Sequence, residues 1–262
     1  MMTACFDASG HECDQRFLVV AGFVSSADDW IDFDRLWRHR LAQDGLSYFH
    51  MHDFAQNVGQ FLKGWREDES RRRKLLGDLM DIIQSHTYRK FACTVENQFL
   101  SDNVKPEIIR NYHLKSYVLA ARDCAARVRE WSRSFGAKEV PALVFEYGDL
   151  YQTLLTKRLV ADQFAPPLFK FKKDRVDEDR TIVLGFTPLQ AADFFAYEAF
   201  IAAKKRNDDR WGMQQFELKP GPMGIYLPDD LRDLEMMLES PDFRPLSYRE
   251  FNPAKRPINT SL

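Results

Sequence analysis

The sequence predicts an α/β domain whose mixed β-sheet is flanked by helices. Two apolar segments, residues 4–9 and 17–24, are joined by a short polar turn, which predicts an antiparallel hairpin. After the hairpin, strand-like segments alternate with segments whose apolar residues recur at helical spacing. This alternation is typical of an α/β sheet, and the antiparallel hairpin at its start predicts that the sheet is mixed.

The remaining elements follow in order along the chain. Residues 28–43 are predicted to be helical because Trp30, Phe33 and Trp37 recur at helical spacing. Further helices are predicted at residues 70–86, at 106–135 as one long helix or two, and at 150–164, 187–206 and 229–239. Further strands are predicted at residues 46–50, 88–96, 142–147, 168–171 and 181–184.

Length and composition indicate one globular domain. The 262 residues suit a single α/β domain over residues 1–210, with a Pro-rich C-terminal extension at 211–262 packed on the same domain. The formal charge of −2 means that any nucleic-acid contact depends on local basic patches. The cysteines lack CxxC spacing, and the longest apolar stretch is too short to cross a bilayer. We therefore expect a cytoplasmic protein without a membrane partner.

Three separate elements each deliver a carboxylate. Asp7 lies in the first apolar strand, Glu146 and Asp149 flank a turn at the end of the strand at 142–147, and Asp193 lies in an apolar helical segment. Carboxylates that converge raise one another's pKa unless a cation neutralises them. Mg²⁺ or Mn²⁺ binds oxygen ligands of this kind and supports phosphodiester hydrolysis. The alternative is that these acids never meet and form separate salt bridges.

The helix that carries Asp193 has a recognisable start. Thr187 is predicted to be its N-cap residue, and Pro188 suits the first helical position. One apolar stripe is expected to face the core, and Asp193 lies near its edge. A partly buried carboxylate at that position needs a partner, a proton or a metal ion.

Four motifs resemble the bacterial family catalogued as domain of unknown function 3800. Three of them are Asp7-Ala8-Ser9-Gly10 in the first strand, Phe145-Glu146-Tyr147-Gly148-Asp149 at the end of a later strand, and Pro188-Leu189-Gln190-Ala191-Ala192-Asp193 on a late helix. The fourth is Phe49-His50-Met51-His52-Asp53, which resembles an acid and histidine element after the first helix. The motifs occur in the family's order across residues 4–201.

The resemblance implies a ribonuclease-H-like fold with helical additions and a metal-dependent nuclease activity, often linked to defence against phage or mobile elements. It implies that Asp7, Glu146 and Asp193 form the acidic centre, with Asp149 and Gln190 beside it. Two departures affect the expected number of metal ions. Ala8 stands where the family commonly has Glu, and no acid precedes the histidine element.

Histidine and lysine side chains complete the predicted site. If residues 48–52 are extended, His50 and His52 point the same way and can share a cation, whereas the alternative is a solvated or hydrogen-bonded pair. In a nuclease, His52 is predicted to act as a general base or to orient a water molecule. Lys172 or Lys173 is predicted to neutralise a phosphate, and Ser9 is assigned to substrate binding.

Two other interpretations remain open from the sequence. In the first, the protein is a non-catalytic regulatory or scaffold module whose acids are paired with Arg or Lys in buried networks. In the second, His50 and His52 form the centre of a phosphatase or another metallohydrolase. The nuclease hypothesis predicts that Asp7 and Asp193 lie within about 10 Å of each other, because one metal ion spans only short distances.

Overall fold

The computed structural model describes residues 1–11, 16–112, 114–205, 211–226 and 228–239. In these ranges the chain forms a mixed six-stranded sheet with helices on both faces, and a separate two-stranded ribbon. The strands are β1 (Met2–Ser9), β2 (Phe17–Ser26), β3 (Arg89–Glu96), β4 (Ala142–Glu146), β5 (Leu168–Lys170), β6 (Arg175–Val176), β7 (Ile182–Val183) and β8 (Met223–Tyr226). The helices are α1 (Ala27–Gln43), α2 (Met51–Gln56), α3 (Glu69–His86), α4 (Asn97–Asn103), α5 (Pro106–Asn111), α6 (Ser116–Ser134), α7 (Gln152–Ala161), α8 (Pro188–Lys205), α9 (Trp211–Glu217) and α10 (Pro228–Glu239). The predicted α/β class with a mixed, helix-flanked sheet is confirmed.

The six-stranded sheet has the order β5-β4-β1-β2-β3-β8. The first three strands are antiparallel neighbours, because β2 pairs antiparallel with both β1 and β3, and α1, α2 and α3 lie in the connection between β2 and β3. β4 runs parallel to β1, and β5 runs parallel to β4. At the opposite edge β8 runs parallel to β3. The carboxyl ends of β1, β4 and β5 therefore meet on one side of the sheet.

Side chains alternate between the two faces of the sheet, and each face is covered by its own helices. Cys5 and Val144 point into the layer that contains α1, α2, α3, α8 and α9. Phe6 and Phe145 point into the opposite layer, which contains α4, α5, α6, α7 and α10. Their rings stack with centroids 5.4 Å apart. β2 is buried along all but its last residue, as expected for a central strand covered on both faces.

Helix α8 packs against β1 and β2 at the centre of the first layer. It begins at Pro188, the residue predicted for its first position. The Thr187 hydroxyl, however, donates to Asp34 Oδ1 on α1 at 2.7 Å. The helix is buried over most of its length, since it lies between the sheet and the helices α1, α2 and α9.

Residues 46–50 do not form the predicted strand. The backbone N–H groups of Ser47 and Phe49 donate to the side-chain oxygens of Gln60 and Gln190 and not to a neighbouring strand. The chain then enters α2 directly, with His50 as its N-cap residue. The prediction was wrong because apolar side chains at these positions pack into the core without any strand pairing.

The elements α2, α4, α9, β6 and β8 were not predicted from the sequence. Helix α4 is rich in Asn, Asp and Ser, which favour turns over helix interiors, so its local signal is weak. β8 contains four residues, including Gly224, and its pairing with β3 joins distant parts of the chain. The segment predicted as one long helix or two forms α5 and α6.

The segment after residue 210 belongs to the same structure as far as it is described. Met213 and Phe216 lie in the core beneath α8, and β8 extends the sheet. The rest of the predicted extension, residues 240–262, and residues 12–15 of the predicted hairpin turn lie outside the described residues. Among the described helices, none is both long and apolar enough to span a membrane.

The aromatic core of α1 supports a stability prediction. Phe33 is fully buried, and the centroid of its ring lies 4.9 Å from the ring centroid of Trp37 and 5.2 Å from that of Trp30. We expect Phe33→Ala to lower the free energy of unfolding by about 3–5 kcal/mol, because it leaves a cavity. Ile31 on the same helix is 67% exposed, and Ile31→Ala is expected to stay within about 0.5 kcal/mol of the wild type. Urea unfolding measures both; equal effects would contradict this packing.

Candidate active site

Two adjacent parallel strands place Asp7 and Glu146 side by side. Phe6 of β1 is in register with Phe145 of β4, and each of these residues is followed by one of the two acids. Because side chains alternate along a strand, Asp7 and Glu146 point away from the two phenylalanines, toward the layer that contains α8. Ligands of open α/β sheets bind outside the carboxyl ends of the strands, which is where these two carboxylates lie.

Asp193 and Lys172 reach the same place from other elements. Asp193 lies on α8 where this helix packs over β1, and only 7% of its surface is exposed. Lys172 follows β5, the strand next to β4, and is 8% exposed. The side chains of two strands, one helix and one connecting segment thus converge at the carboxyl ends of β1 and β4.

The Lys172 ammonium is at the centre of this cluster. Its Nζ lies 2.8 Å from Asp7 Oδ2, 2.9 Å from Glu146 Oε2 and 2.9 Å from Asp193 Oδ1. An ammonium group carries three N–H donors, so three carboxylates are enough to use all of them. Lys172 thus joins the three predicted acids, and from here on the acidic centre means these four residues, Asp7, Glu146, Asp193 and Lys172. The predicted convergence of three carboxylates is present, with a lysine among them.

Burial and mutual charge change the pKa of these groups. Burial raises the pKa of the Asp7 carboxyl well above its usual value, and the charges of Glu146 and Asp193 add to this rise, while Lys172 opposes it. Burial alone would lower the pKa of Lys172, but Asp193, Asp7 and Glu146 together raise it well above the usual value. Lys172 therefore keeps its proton, and Asp7 binds a proton more tightly than a solvated aspartate does.

Gln190, which the resemblance places beside the acidic centre, is 2% exposed and hydrogen-bonded to the protein itself. Its Oε1 accepts from Trp37 Nε1 at 2.8 Å and from the Phe49 backbone N–H at 2.7 Å. Its Nε2 donates to the Lys172 carbonyl oxygen at 2.6 Å. Gln190 therefore holds the backbone of Lys172 in place, so it acts on the acidic centre through that residue.

The histidine nearest to the acidic centre is His50. Its Nε2 lies 3.5 Å from Asp193 Oδ1, and its Nδ1 lies 2.9 Å from Asp53 Oδ1. The His52 side chain is 60% exposed, and its Nδ1 lies 3.7 Å from Asp53 Oδ1. The predicted extended conformation of residues 48–52 is wrong, because α2 begins at Met51. The centroids of the two rings lie 6.0 Å apart, and both rings have Nδ1 near Asp53 Oδ1.

A cleft opens beside the acidic centre. It has a volume of about 400 Å³, and Asp7 and Glu146 lie in its wall together with Asp149 and Tyr117. Gly148 turns the chain between Glu146 and Asp149 with φ of +117°, a conformation that favours glycine. Asp149 is exposed at the rim of the cleft, so it is the most accessible of the four predicted acids.

Lys173 and Ser9 lie beside the centre and not within it. The Nζ of Lys173 lies 4.0 Å from the centroid of the Tyr48 ring and 3.8 Å from Asp53 Oδ2, with 40% of the side chain exposed. Ser9 is the half-buried last residue of β1, and its neighbours Ala8 and Gly10 line the cleft. The consecutive residues Lys172 and Lys173 thus have different environments.

The donor atoms of the acidic centre suit Mg²⁺ or Mn²⁺ in type, because they are carboxylate oxygens. Their arrangement does not fit such an ion, because Asp7, Glu146 and Asp193 are all directed at the Lys172 ammonium. Across the described ranges, no group of three His, Cys, Asp or Glu side chains is placed to hold a metal ion. A divalent cation and the Lys172 ammonium exclude each other from this position.

Two features of the site differ from the sequence-based expectations. Lys172 was predicted to neutralise a phosphate and not to pair with the acids, although three converging carboxylates require a cation. His52 was predicted to act in the site and not His50, because α2 was not predicted. The sequence feature that could have indicated His50 is its position directly before the short helix α2, which carries Asp53.

The raised pKa of Asp7 predicts a pH dependence of stability. The folded protein binds this proton more tightly than the unfolded chain, whose carboxyl has a pKa near 3.8. This contribution to stability is present at low pH and is lost as the pH rises above about 4 through the raised value. We expect the free energy of unfolding of Asp7→Asn to increase relative to that of the wild type as the pH rises. Urea unfolding between about pH 4 and 7 measures this difference.

Asp29 is the control with the opposite sign. Hydrogen bonds from Ser26 and Tyr88 lower the pKa of its carboxyl, so its contribution is present above the unfolded pKa and is lost as the pH falls. The free energy of unfolding of Asp29→Asn should therefore decrease relative to that of the wild type as the pH rises. If both variants follow the same trend, the environment described for Asp7 is wrong.

Comparisons with known proteins add no relative for this chain. No family model matches it, and no curated protein matches it significantly. The interpretation of the acidic centre therefore depends on its own geometry and on the motifs that carry its residues.

Proposed function

We propose that the acidic centre is the active site of a nuclease that hydrolyses phosphodiester bonds with Mg²⁺ or Mn²⁺. One observation carries this proposal: Asp7, Glu146 and Asp193 reach one point from three separate elements, beside a cleft of about 400 Å³. A carboxylate set used only for internal salt bridges needs no such cleft. Sites of this kind, concave and with a few converging polar groups, are the usual places of ligand binding.

The order of the sheet supports the ribonuclease-H-like part of the proposal. Three antiparallel strands are followed by β4 and β5, which add in parallel on the other side of β1. In this arrangement Asp7 lies on the central strand and Glu146 on its neighbour. The helices α1, α2 and α3 between β2 and β3, together with α4, α5, α9 and α10, are then the helical additions, and β8 is an added edge strand.

The surroundings of the acidic centre suit a nucleic acid. A second cleft of about 540 Å³ shares Leu150 and Tyr151 with the first and is lined by Lys115, Lys157 and Arg158. Basic side chains of this kind hold phosphates without reading sequence. A polynucleotide that follows the two clefts would have its phosphates on the basic side chains and one phosphodiester beside the acidic centre.

The residues of the site have separate roles in this proposal. Lys172 and Lys173 neutralise the phosphate that is attacked, and His50, next to Asp193 and Asp53, accepts the proton of the attacking water. A divalent ion, if bound, would supply positive charge at the phosphate and lower the pKa of a water molecule. Asp7, Glu146 and Asp193, with Asp149 at the rim, are the carboxylates that would hold it, and the ion would have to displace the Lys172 ammonium from the first three.

The resemblance to domain of unknown function 3800 adds a biological setting to the proposal. It suggests cleavage of phage or mobile-element nucleic acid, in the cytoplasm where such nucleic acid enters. The geometry of the site is neutral on this point, because defence and housekeeping nucleases require the same chemistry.

A second candidate function is a non-catalytic scaffold or regulatory module. It is favoured by one observation, namely that the Lys172 ammonium already pairs with all three carboxylates. In that case the four residues fix the position of α8 on the sheet and have no substrate. The two candidates differ in what a conservative change of one carboxylate does.

Asp193→Asn separates the two candidates. Asparagine has the same size, and its side-chain oxygen can still accept the Met51 backbone N–H that now donates to Asp193 Oδ2 at 2.6 Å. We expect hydrolysis of DNA or RNA with Mn²⁺ or Mg²⁺ to fall at least about 100-fold, the scale for loss of one charged or dipolar group of an active site. The amide nitrogen would replace Oδ1 beside the Lys172 ammonium, so the melting temperature is expected to fall, while Lys172 keeps Asp7 and Glu146 as partners and the variant stays folded.

Asp78→Asn is the matched control, because Asp78 on α3 pairs with Lys74 of the same helix and with Arg40 of α1, outside the site. It should retain full activity. The nuclease proposal fails if the wild type cleaves no single- or double-stranded DNA or RNA with either metal. A large loss of stability in Asp193→Asn with no activity to lose would instead support the scaffold.

A further inference from the structure

We propose that the cleft beside the acidic centre takes an unpaired base of a single-stranded nucleic acid, stacked on the ring of Tyr147. This inference rests on the proposed function and names the class of substrate, which is a single strand and not a duplex. It follows from the position of the Tyr147 ring, from the charges around it and from the size of the cleft.

The ring of Tyr147 is a fixed and accessible part of the cleft wall. Tyr147 follows Glu146 at the end of β4, and its backbone N–H donates to the Lys170 carbonyl oxygen at 2.8 Å. Its ring packs on the Phe171 ring with centroids 4.5 Å apart, yet 51% of the residue is exposed. Because the backbone is bonded and the ring is supported, a base that stacks here has little side-chain freedom to restrict.

Cations and a second tyrosine continue the surface around Tyr147. Tyr151 lines the same cleft, and Lys115 Nζ lies 5.2 Å from the centroid of its ring. The guanidinium carbon of Arg175 lies 4.0 Å from the centroid of the Phe171 ring. Aromatic rings that take bases, beside cations that take phosphates, are the features of grooves that bind single strands without reading sequence.

The carboxylates of the cleft favour a base over a phosphate as its occupant. Glu146 and Asp149 line the cleft together with Tyr147. A carboxylate repels a phosphate, whereas it accepts a hydrogen bond from the amino group of a base such as cytosine. The backbone of the strand is therefore expected to lie toward the cations, with the base in the cleft.

The size of the cleft favours an unpaired base. Its volume of about 400 Å³ is in the lower part of the range for pockets that take one small ligand. A base of a duplex can enter such a pocket only after it leaves the stack and its pairing partner, which costs more free energy than in a single strand. A single strand is consequently expected to bind more tightly than a duplex of the same sequence.

Fluorescence anisotropy in EDTA tests this inference without metal or cleavage. The probe is a labelled strand of mixed sequence, about 12 nucleotides long, measured alone and annealed to its complement, as DNA and as RNA. We expect the wild type to bind at least one of the single strands at least about tenfold more tightly than the corresponding duplex. Tyr147→Leu should weaken the binding of that strand between about 5- and 150-fold, the scale for loss of one stacked base.

Two other variants are the controls. Tyr147→Phe keeps the ring and should bind as the wild type does. Tyr88→Leu should do so too, because Tyr88 is 41% exposed and lies outside the site, where its hydroxyl donates to Asp29. An unchanged affinity in Tyr147→Leu, an equal loss in Tyr147→Phe or equally tight binding of the duplex overturns the inference. The comparison of strand and duplex uses the wild type and is independent of how well any variant folds.

Failure of this inference and failure of the nuclease are distinguishable. A wild type that cleaves nucleic acid, with single-strand binding unchanged in Tyr147→Leu, retains the proposed function and rejects the stacked base. Single-strand binding that depends on the Tyr147 ring, in a protein that cleaves nothing, supports the stacked base and rejects the nuclease.

Discussion

The contact between the Lys172 ammonium and the carboxylates of Asp7, Glu146 and Asp193 is the interaction on which the arrangement of this molecule depends. Each of the four groups is costly to remove from water alone, and together they are hydrogen-bonded and their charges are partly compensated. The contact joins β1, β4, α8 and the segment after β5 at the carboxyl ends of these strands. Removing one partner would leave uncompensated charge where these elements meet.

The same four groups can stabilise the fold or contact a ligand, and their surroundings decide between these roles. A network that serves only stability is best enclosed on all sides. Here the Glu146 side chain is 30% exposed, a cleft follows, and His50 lies within 3.5 Å of Asp193. These features favour a site at which a ligand binds beside the four groups. The fold then supplies a centre that is stable before its ligand arrives.

Much of the fold and the three acids of the centre were predictable from the sequence. Asp7 and Glu146 interrupt apolar strands at their ends, and Asp193 interrupts an apolar helix, so each signals a buried charge with a partner. Local patterns carry that information. The pairing of β1 with β4 follows from the α/β order, although its register does not.

The position of Lys172 was not predictable, because it depends on where the three-residue strand β5 docks. The position of His50 depends on the six-residue helix α2, whose start has no strong sequence signal. Residues 46–50 resemble a strand only in composition. β8 pairs with a strand about 130 residues earlier in the chain, through Ala92 and Met223. Such long-range pairings are decided by packing and leave little trace in local sequence.

The most direct test of the central claim is a high-resolution crystal structure of the metal-free protein. We predict that Lys172 Nζ lies within about 3.2 Å of a carboxylate oxygen of each of Asp7, Glu146 and Asp193, the range of a charge-assisted hydrogen bond. A Lys172 side chain that points into solvent, with the three carboxylates apart or bridged by water alone, would contradict the account.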